Sequence, residues 1–113
     1  MDYLMADGTE SAAFRIEVRA GDTHNLLVLA GLIGLDAAPQ LRDEAERLAA
    51  RSEDVAIDWR DVEHVGAAAM QVLLALGTAL SGSGRKLYVV ADNAGLRGYL
   101  ELAGLSGSFP EGR

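Results

Sequence analysis

From residue 14 the chain alternates: Phe14, Ile16 and Val18 are apolar, while Arg15, Glu17 and Arg19 are charged. A period of two marks a strand with one wet face, and predicts β structure over 14–20. The cluster GDTHN at 21–25 reads as a turn, and the dense apolar run 26–31 as a second strand. So short a link predicts an antiparallel hairpin.

The period then lengthens. Over 35–52 the apolar positions Leu41, Ala45 and Leu48 recur at helical spacing, with Arg42, Glu44, Glu46 and Arg47 mostly outside the stripe. Asp36 is placed to cap that helix, and Pro39 to sit in its first turn. Residues 54–59 form a short, mostly apolar strand, 66–84 a helix with a Gly/Ser exit, and 85–91 another strand. A last helix spans 92–104, capped by Asp92 or Asn93. It ends at Gly104 in a left-handed turn, with Leu105 folding back on Leu100.

The order β-β-α-β-α-β-α predicts an α/β fold: a mixed sheet of about four strands with helices packed on it. Strands separated by one helix should be parallel, joined by a right-handed crossover. The domain is expected over 14–109, after a loose arm at 1–13 and before a tail at 110–113.

Composition narrows the chemistry. The chain has 113 residues, half of them hydrophobic, which suits one domain with its own core. It has no cysteine, so thiolate nucleophiles, thiolate metal sites and disulfides are all excluded. A net charge of −7 repels phosphate backbones and anionic membranes, so neither nucleic acid nor membrane insertion is expected. The N-terminal residues lack the basic and apolar regions of a secretory signal, and a cytoplasmic, bacterial-type protein is expected.

Catalytic constellations are missing. His24 and His64 stand apart in sequence, assigned to turns, with no metal-ligand spacing. SGSGR at 81–85 follows a helix and precedes a strand, the reverse of a phosphate cradle, and reads as a connection. No metal, cofactor or enzymatic activity is expected.

One series of pieces is distinctive: VAID at 55–58, Val62, Val65, MQVLLAL at 70–76, KLYVV at 86–90 and LELAGL at 100–105. Together with GLIGLDAAPQLRDEAERL at 31–48, they resemble the STAS domain, the fold of anti-sigma-factor antagonists. The resemblance covers about 14–109. In that family the turn before the Leu-rich helix usually reads Asp-Ser-Ser/Thr-Gly-Leu or Asp-Thr-Ala-Gly-Leu, and a partner kinase phosphorylates its hydroxyl. Here Gly66 stands for the Asp, Ala67 and Ala68 for the hydroxyl pair, Ala69 for the Gly and Met70 for the Leu. The resemblance therefore implies a degenerate phosphosite at Ala67 and Ala68, without the charge switch of about −2 that phosphorylation brings.

The resemblance implies a non-catalytic regulatory module in signal transduction and partner switching. It would dock on an anti-sigma-type kinase or a chemotaxis-cluster protein. Gln71, after Met70, is similar to a subgroup that includes the small subunit of a lipid-transport ABC complex, which makes an ABC ATPase an alternative partner. A small-ligand or nucleotide sensor is a further alternative, and a homodimer is open.

On a helical wheel Met70, Leu73, Leu74 and Gly77 form one stripe, while Ala69, Val72, Leu76 and Ala79 form a second. The second stripe either packs on a neighbouring helix or is exposed for docking. The docking reading assigns partner contact to Gly66, Ala67, Ala68, Ala69, Met70, Val72 and Leu76, with Asp36 as an acid near the same surface.

Overall fold

The computed structural model describes residues 13–112; most of the expected N-terminal arm lies outside them. Its elements are β1 (Phe14–Arg19), β2 (His24–Ile33), α1 (Ala38–Ala49), β3 (Asp54–Val65), α2 (Ala67–Gly82), β4 (Leu87–Ala91), α3 (Ala94–Leu102) and a 3-10 turn (Ser106–Ser108). The four strands form one sheet in the order β1-β2-β3-β4. β1 runs antiparallel to β2, whereas β2, β3 and β4 are parallel. The fold is the expected α/β mixed sheet, with the expected element order.

Alternation on β1 turns Ile16 inward against Leu29 of β2, and on β3 Val55 and Ile57 join the same core. α1 contributes Leu41, Ala45 and Leu48 to that core, and α2 contributes Ala69, Met70, Leu73, Leu76 and Leu80.

Four local readings need correction. β2 and β3 run longer than 26–31 and 54–59, which puts His24 at the start of β2 and His64 near the end of β3 rather than in turns. β3 continues past the point where β4 last pairs with it, at Asp58, so its second half is paired with β2 alone and carries polar residues. Asp36 does not cap α1. The chain first makes a turn in which the Ala37 and Ala38 N–H groups donate to Gly34 O. Ala37 becomes the N-cap with no side-chain bond, and Pro39 falls in the first turn as expected. The fourth correction concerns the C-terminal end, expected to leave the domain after Phe109 as a tail at 110–113.

That segment is part of the fold. Phe109 is fully buried against Trp59, ring centroids 5.3 Å apart. Asp92 accepts from the Trp59 indole at 2.9 Å and from Arg97 Nε at 2.9 Å, and Arg97 also donates to Phe109 O at 2.8 Å. Beyond it, Val89 N–H donates to Pro110 O and Gly112 N–H to Val89 O, at 2.8 and 2.9 Å, so the segment lies along the edge of β4. Burial pushes the Asp92 carboxyl up, but its bonds with Trp59, the Asn93 N–H, Glu111 and Arg97 outweigh this and hold it below the ordinary carboxylate range.

α2 and α3 both end in Schellman turns. Gly84 and Gly104 take left-handed φ values of 77° and 75°, while Arg85 N–H returns to Leu80 O and Leu105 N–H to Leu100 O, each at 2.8 Å. The α2 exit aims Arg85 at the end of α1, where its guanidinium donates to Ala49 O at 2.7 Å and also reaches Arg51 O. SGSGR is thus a helix exit and an anchor. Asn93 caps α3 by accepting from Leu96 N–H at 3.1 Å, and its amide donates to Val62 O at 2.7 Å.

Candidate functional site

β2 and β3 end side by side, with Ile33 paired to Val65. Gly66 N–H then donates to Ile33 O at 2.8 Å, and Met70 N–H to Gly66 O at 2.9 Å, the first bond of α2. These bonds set the 34–37 loop against the start of α2; a Cβ on Gly66 would lie 3.5 Å from Gly34 Cα. Gly66 is the N-cap, with φ −74° and ψ 169°, and gives the helix no side-chain cap. The opening N–H groups of a helix have no acceptor within it, so the dipole end here is bare backbone framed by methyl groups.

The helical phase divides the expected contact residues. Ala67 is exposed, while Gly66, Ala68 and Val72 are half-buried. Ala69, Met70 and Leu76 are buried, so these three support the surface from beneath, with Leu76 at the floor of the groove between α1 and α2. Asp36 is exposed on the neighbouring loop. The buried stripe of α2 takes Ala69, Met70, Leu73, Leu76 and Leu80, combining members of both expected stripes; Leu74, Gly77 and Val72 are half-buried and Ala79 is exposed.

Between α1 and α2 runs an open groove of about 510 Å³. Its α2 wall is Ala68, Gln71, Val72, Ala75, Leu76 and Ala79; Ala38, Ala45 and Ala49 face them from α1, with Arg42 and Glu46 among the lining. The second stripe is therefore divided, since α2 packs on α1 yet leaves small side chains accessible. α2 carries no charged residue across its 16 positions. Sequence reasoning missed Leu32 and Leu35, 48% and 80% exposed, at the same end of the sheet. The signal was an apolar residue between Gly34 and Asp36, in a turn where polar residues are usual.

His24 and His64 sit toward opposite ends of the sheet, paired with Asp54 and Leu32. Among the described residues no group of His, Cys, Asp or Glu is arranged to hold a metal ion. A wider groove of about 950 Å³ lies between α2 and β4 and includes Thr78, Ser81, Lys86 and Glu111, with none of the expected contact residues. Among the described residues no helix is long and apolar enough to cross a membrane.

A single mixed sheet whose parallel strands open into a helix through an exposed, uncharged turn places this chain among α/β domains. The family described as "Mlab, STAS domain" matches residues 16–110, and the chain belongs to the STAS family.

Among solved structures it is similar to an anti-sigma factor antagonist from Mycobacterium paratuberculosis. The two are 27% identical, with a TM-score of 0.76 over 88% of this chain and 85% of that one. The anti-sigma factor antagonist SpoIIAA in its unphosphorylated form shares the fold at 13% identity, with a TM-score of 0.71 over 89% of each chain. The Bacillus cell fate determinant SpoIIAA in the phosphorylated form does so at 14% identity, with a TM-score of 0.64 over 89% of this chain and 92% of that one. No curated protein matches.

Proposed function

We propose that this chain is a non-catalytic regulatory module. It docks on a signalling protein of the anti-sigma kinase or chemotaxis-cluster class, and does so without phosphorylation at the α2 turn. The observation that carries the reading is the start of α2: exposed Ala67 and half-buried Ala68 at a bare, uncharged helix end, where the family places a hydroxyl. The likeness to an anti-sigma factor antagonist supports the partner class. SpoIIAA exists in unphosphorylated and phosphorylated forms. This chain, with methyl groups at the corresponding positions, would hold one state of that turn permanently.

Ala67, Ala68 and Val72 would make the contact, with Gly66 allowing close approach and Asp36 at the margin. Ala69, Met70 and Leu76 would set the helix on the core. The test is Ala68→Glu in a binding assay against a purified anti-sigma-type kinase. A carboxylate pressed unpaired into an apolar interface costs several kcal/mol, so capture should fall by about a hundredfold or more. Unchanged affinity refutes the docking assignment.

A second reading, accessory subunit on an ABC ATPase, is supported by Gln71 after Met70. It uses the same surface, and the same variant assayed against a transporter ATPase distinguishes the two.

A further inference from the structure

α3 buries Leu96 and Leu100. Arg97 lies to one side, where it donates to Asp92 and to the carbonyls of Ser106 and Phe109, so the C-terminal segment packs along that flank. The other flank carries Gly95, Gly98, Tyr99 and Leu102, spaced i, i+3, i+4 and i+7, which makes one continuous stripe. It holds no charge and lies open: Tyr99 is 43% exposed and Leu102 is 92% exposed.

The two glycines weaken the helix, and the fold does not ask for them. A glycine inside a helix costs about 1 kcal/mol relative to alanine. A Cβ on Gly98 would meet nothing within 4 Å, and one on Gly95 would meet the Asn93 cap at 3.4 Å. Neither glycine has a left-handed φ. What they provide is two hollows beside two protruding side chains on one helix face.

Such a face complements itself in one arrangement. If two copies of α3 cross antiparallel about a point between Gly98 and Tyr99, Leu102 of each falls on Gly95 of the other, and Tyr99 falls on Gly98. Every protrusion meets a hollow. Sliding the antiparallel pair by a turn sets glycine on glycine, sets Tyr99 on Leu102, or keeps a single kind of match. Parallel pairing in register opposes like with like, and a parallel pair offset by a turn fills the glycines of one copy only. The antiparallel setting is also complementary in charge. Glu101, exposed and in none of the described ion pairs, borders the stripe and comes alongside the first turn of the other α3. There the helix dipole is positive and the opening N–H groups have no acceptor within the helix.

We infer that the outer face of α3 is a homodimerisation surface: two copies pack α3 on α3, antiparallel, each seating Tyr99 and Leu102 in the other's Gly98 and Gly95. The contact is isologous and closes at two chains. One short helix a side falls below the roughly 800 Å² per partner of a standard interface, so the dimer should be weak, with a Kd on the order of 0.1 mM. The stripe shares no residue with the α2 turn, so this pairing and the docking reading are tested separately.

The test is sedimentation of the full chain up to about 1 mM, where the wild type should rise from the mass of one chain toward that of two. Gly95→Leu sets two leucines against each other and Leu102→Gly empties the hollow, so each should weaken self-association by roughly tenfold or more. The double variant exchanges protrusion and hollow and should recover most of the loss, which no other register allows. Circular dichroism at low concentration checks that each variant is folded. Amide chemical shifts of the wild type give a readout without mutation: Gly95, Gly98 and Leu102 should move with concentration, and Ala67 should not. A wild type that stays single to about 1 mM overturns the inference and leaves the stripe to a different protein. A dimer indifferent to both single changes, a double variant no better than the singles, or concentration shifts confined to other elements would each overturn it as well.

Discussion

Gly66 occupies the N-cap of α2 with backbone angles open to any residue, φ −74° and ψ 169°. A Cβ there would meet Gly34 Cα at 3.5 Å and Ile33 O at 3.6 Å, which is ordinary contact. Nothing in the fold therefore demands glycine, and Gly66→Asp should stabilise the protein. Three effects add. Restricting the unfolded chain contributes about 0.4–1 kcal/mol. A carboxylate accepting from the Ala68 or Ala69 N–H improves on a glycine cap by a few tenths. Its charge at the positive end of the helix dipole contributes about 0.3–1 kcal/mol. The sum is about 1.5 kcal/mol, worth roughly 6 °C in midpoint for a domain of this size. Thermal unfolding followed by far-UV circular dichroism at neutral pH measures it, with Gly66→Asn as the control that keeps the cap and the chain restriction but lacks the charge. The excess of Asp over Asn should shrink with added salt, because the charge–dipole part is screened. A midpoint for Gly66→Asp at or below wild type would refute the reasoning. If the bare turn is the docking surface, the same variant should bind its partner less well, so stability and binding should move in opposite directions.

Two further predictions concern the C-terminal segment. Phe109→Ala should cost about 3–4 kcal/mol and red-shift the emission of Trp59, the only tryptophan; a loss under about 1 kcal/mol with unchanged emission would return the segment to the status of a tail. Asp92→Asn should cost about 2 kcal/mol at neutral pH, read from the urea midpoint, by weakening charged hydrogen bonds to Trp59 and Arg97. Because the folded Asp92 pKa is depressed, its contribution is present above the unfolded value near 3.9 and is lost as pH falls through the lower folded value. The variant should accordingly lose less stability than wild type on acidification through that window, and an equal loss would count against the assignment.

What the sequence conveyed, and what it hid, follows from how local each signal is. The Gly104–Leu105 turn and the Asn93 cap depend on residues a few positions apart, and both were readable. The second half of β3 was not, because Arg60, Asp61, Glu63 and His64 are polar where β4 no longer runs alongside. Phe109 is a lone aromatic among Gly, Ser and Pro, and only the fold supplies Trp59 as its counterpart. Asp36 has the chemistry of a cap at the wrong phase, since a Gly34 turn delays α1. The turn that opens α2 was itself legible through family resemblance. Its division into exposed Ala67 and buried Ala69 depends on where α2 begins, which a run of small residues does not mark.

The α1–α2 groove is pinned at both ends. Ile33 O holds Gly66 at one, and Arg85 ties the α2 exit to the last carbonyls of α1 at the other. Its two walls cannot splay independently. On the docking reading proposed above, a visitor would meet a trough that is already formed, so little ordering entropy would be spent on arrival. Selectivity then rests on how well the incoming surface matches a fixed contour, and a rigid template of this kind favours few visitors over many.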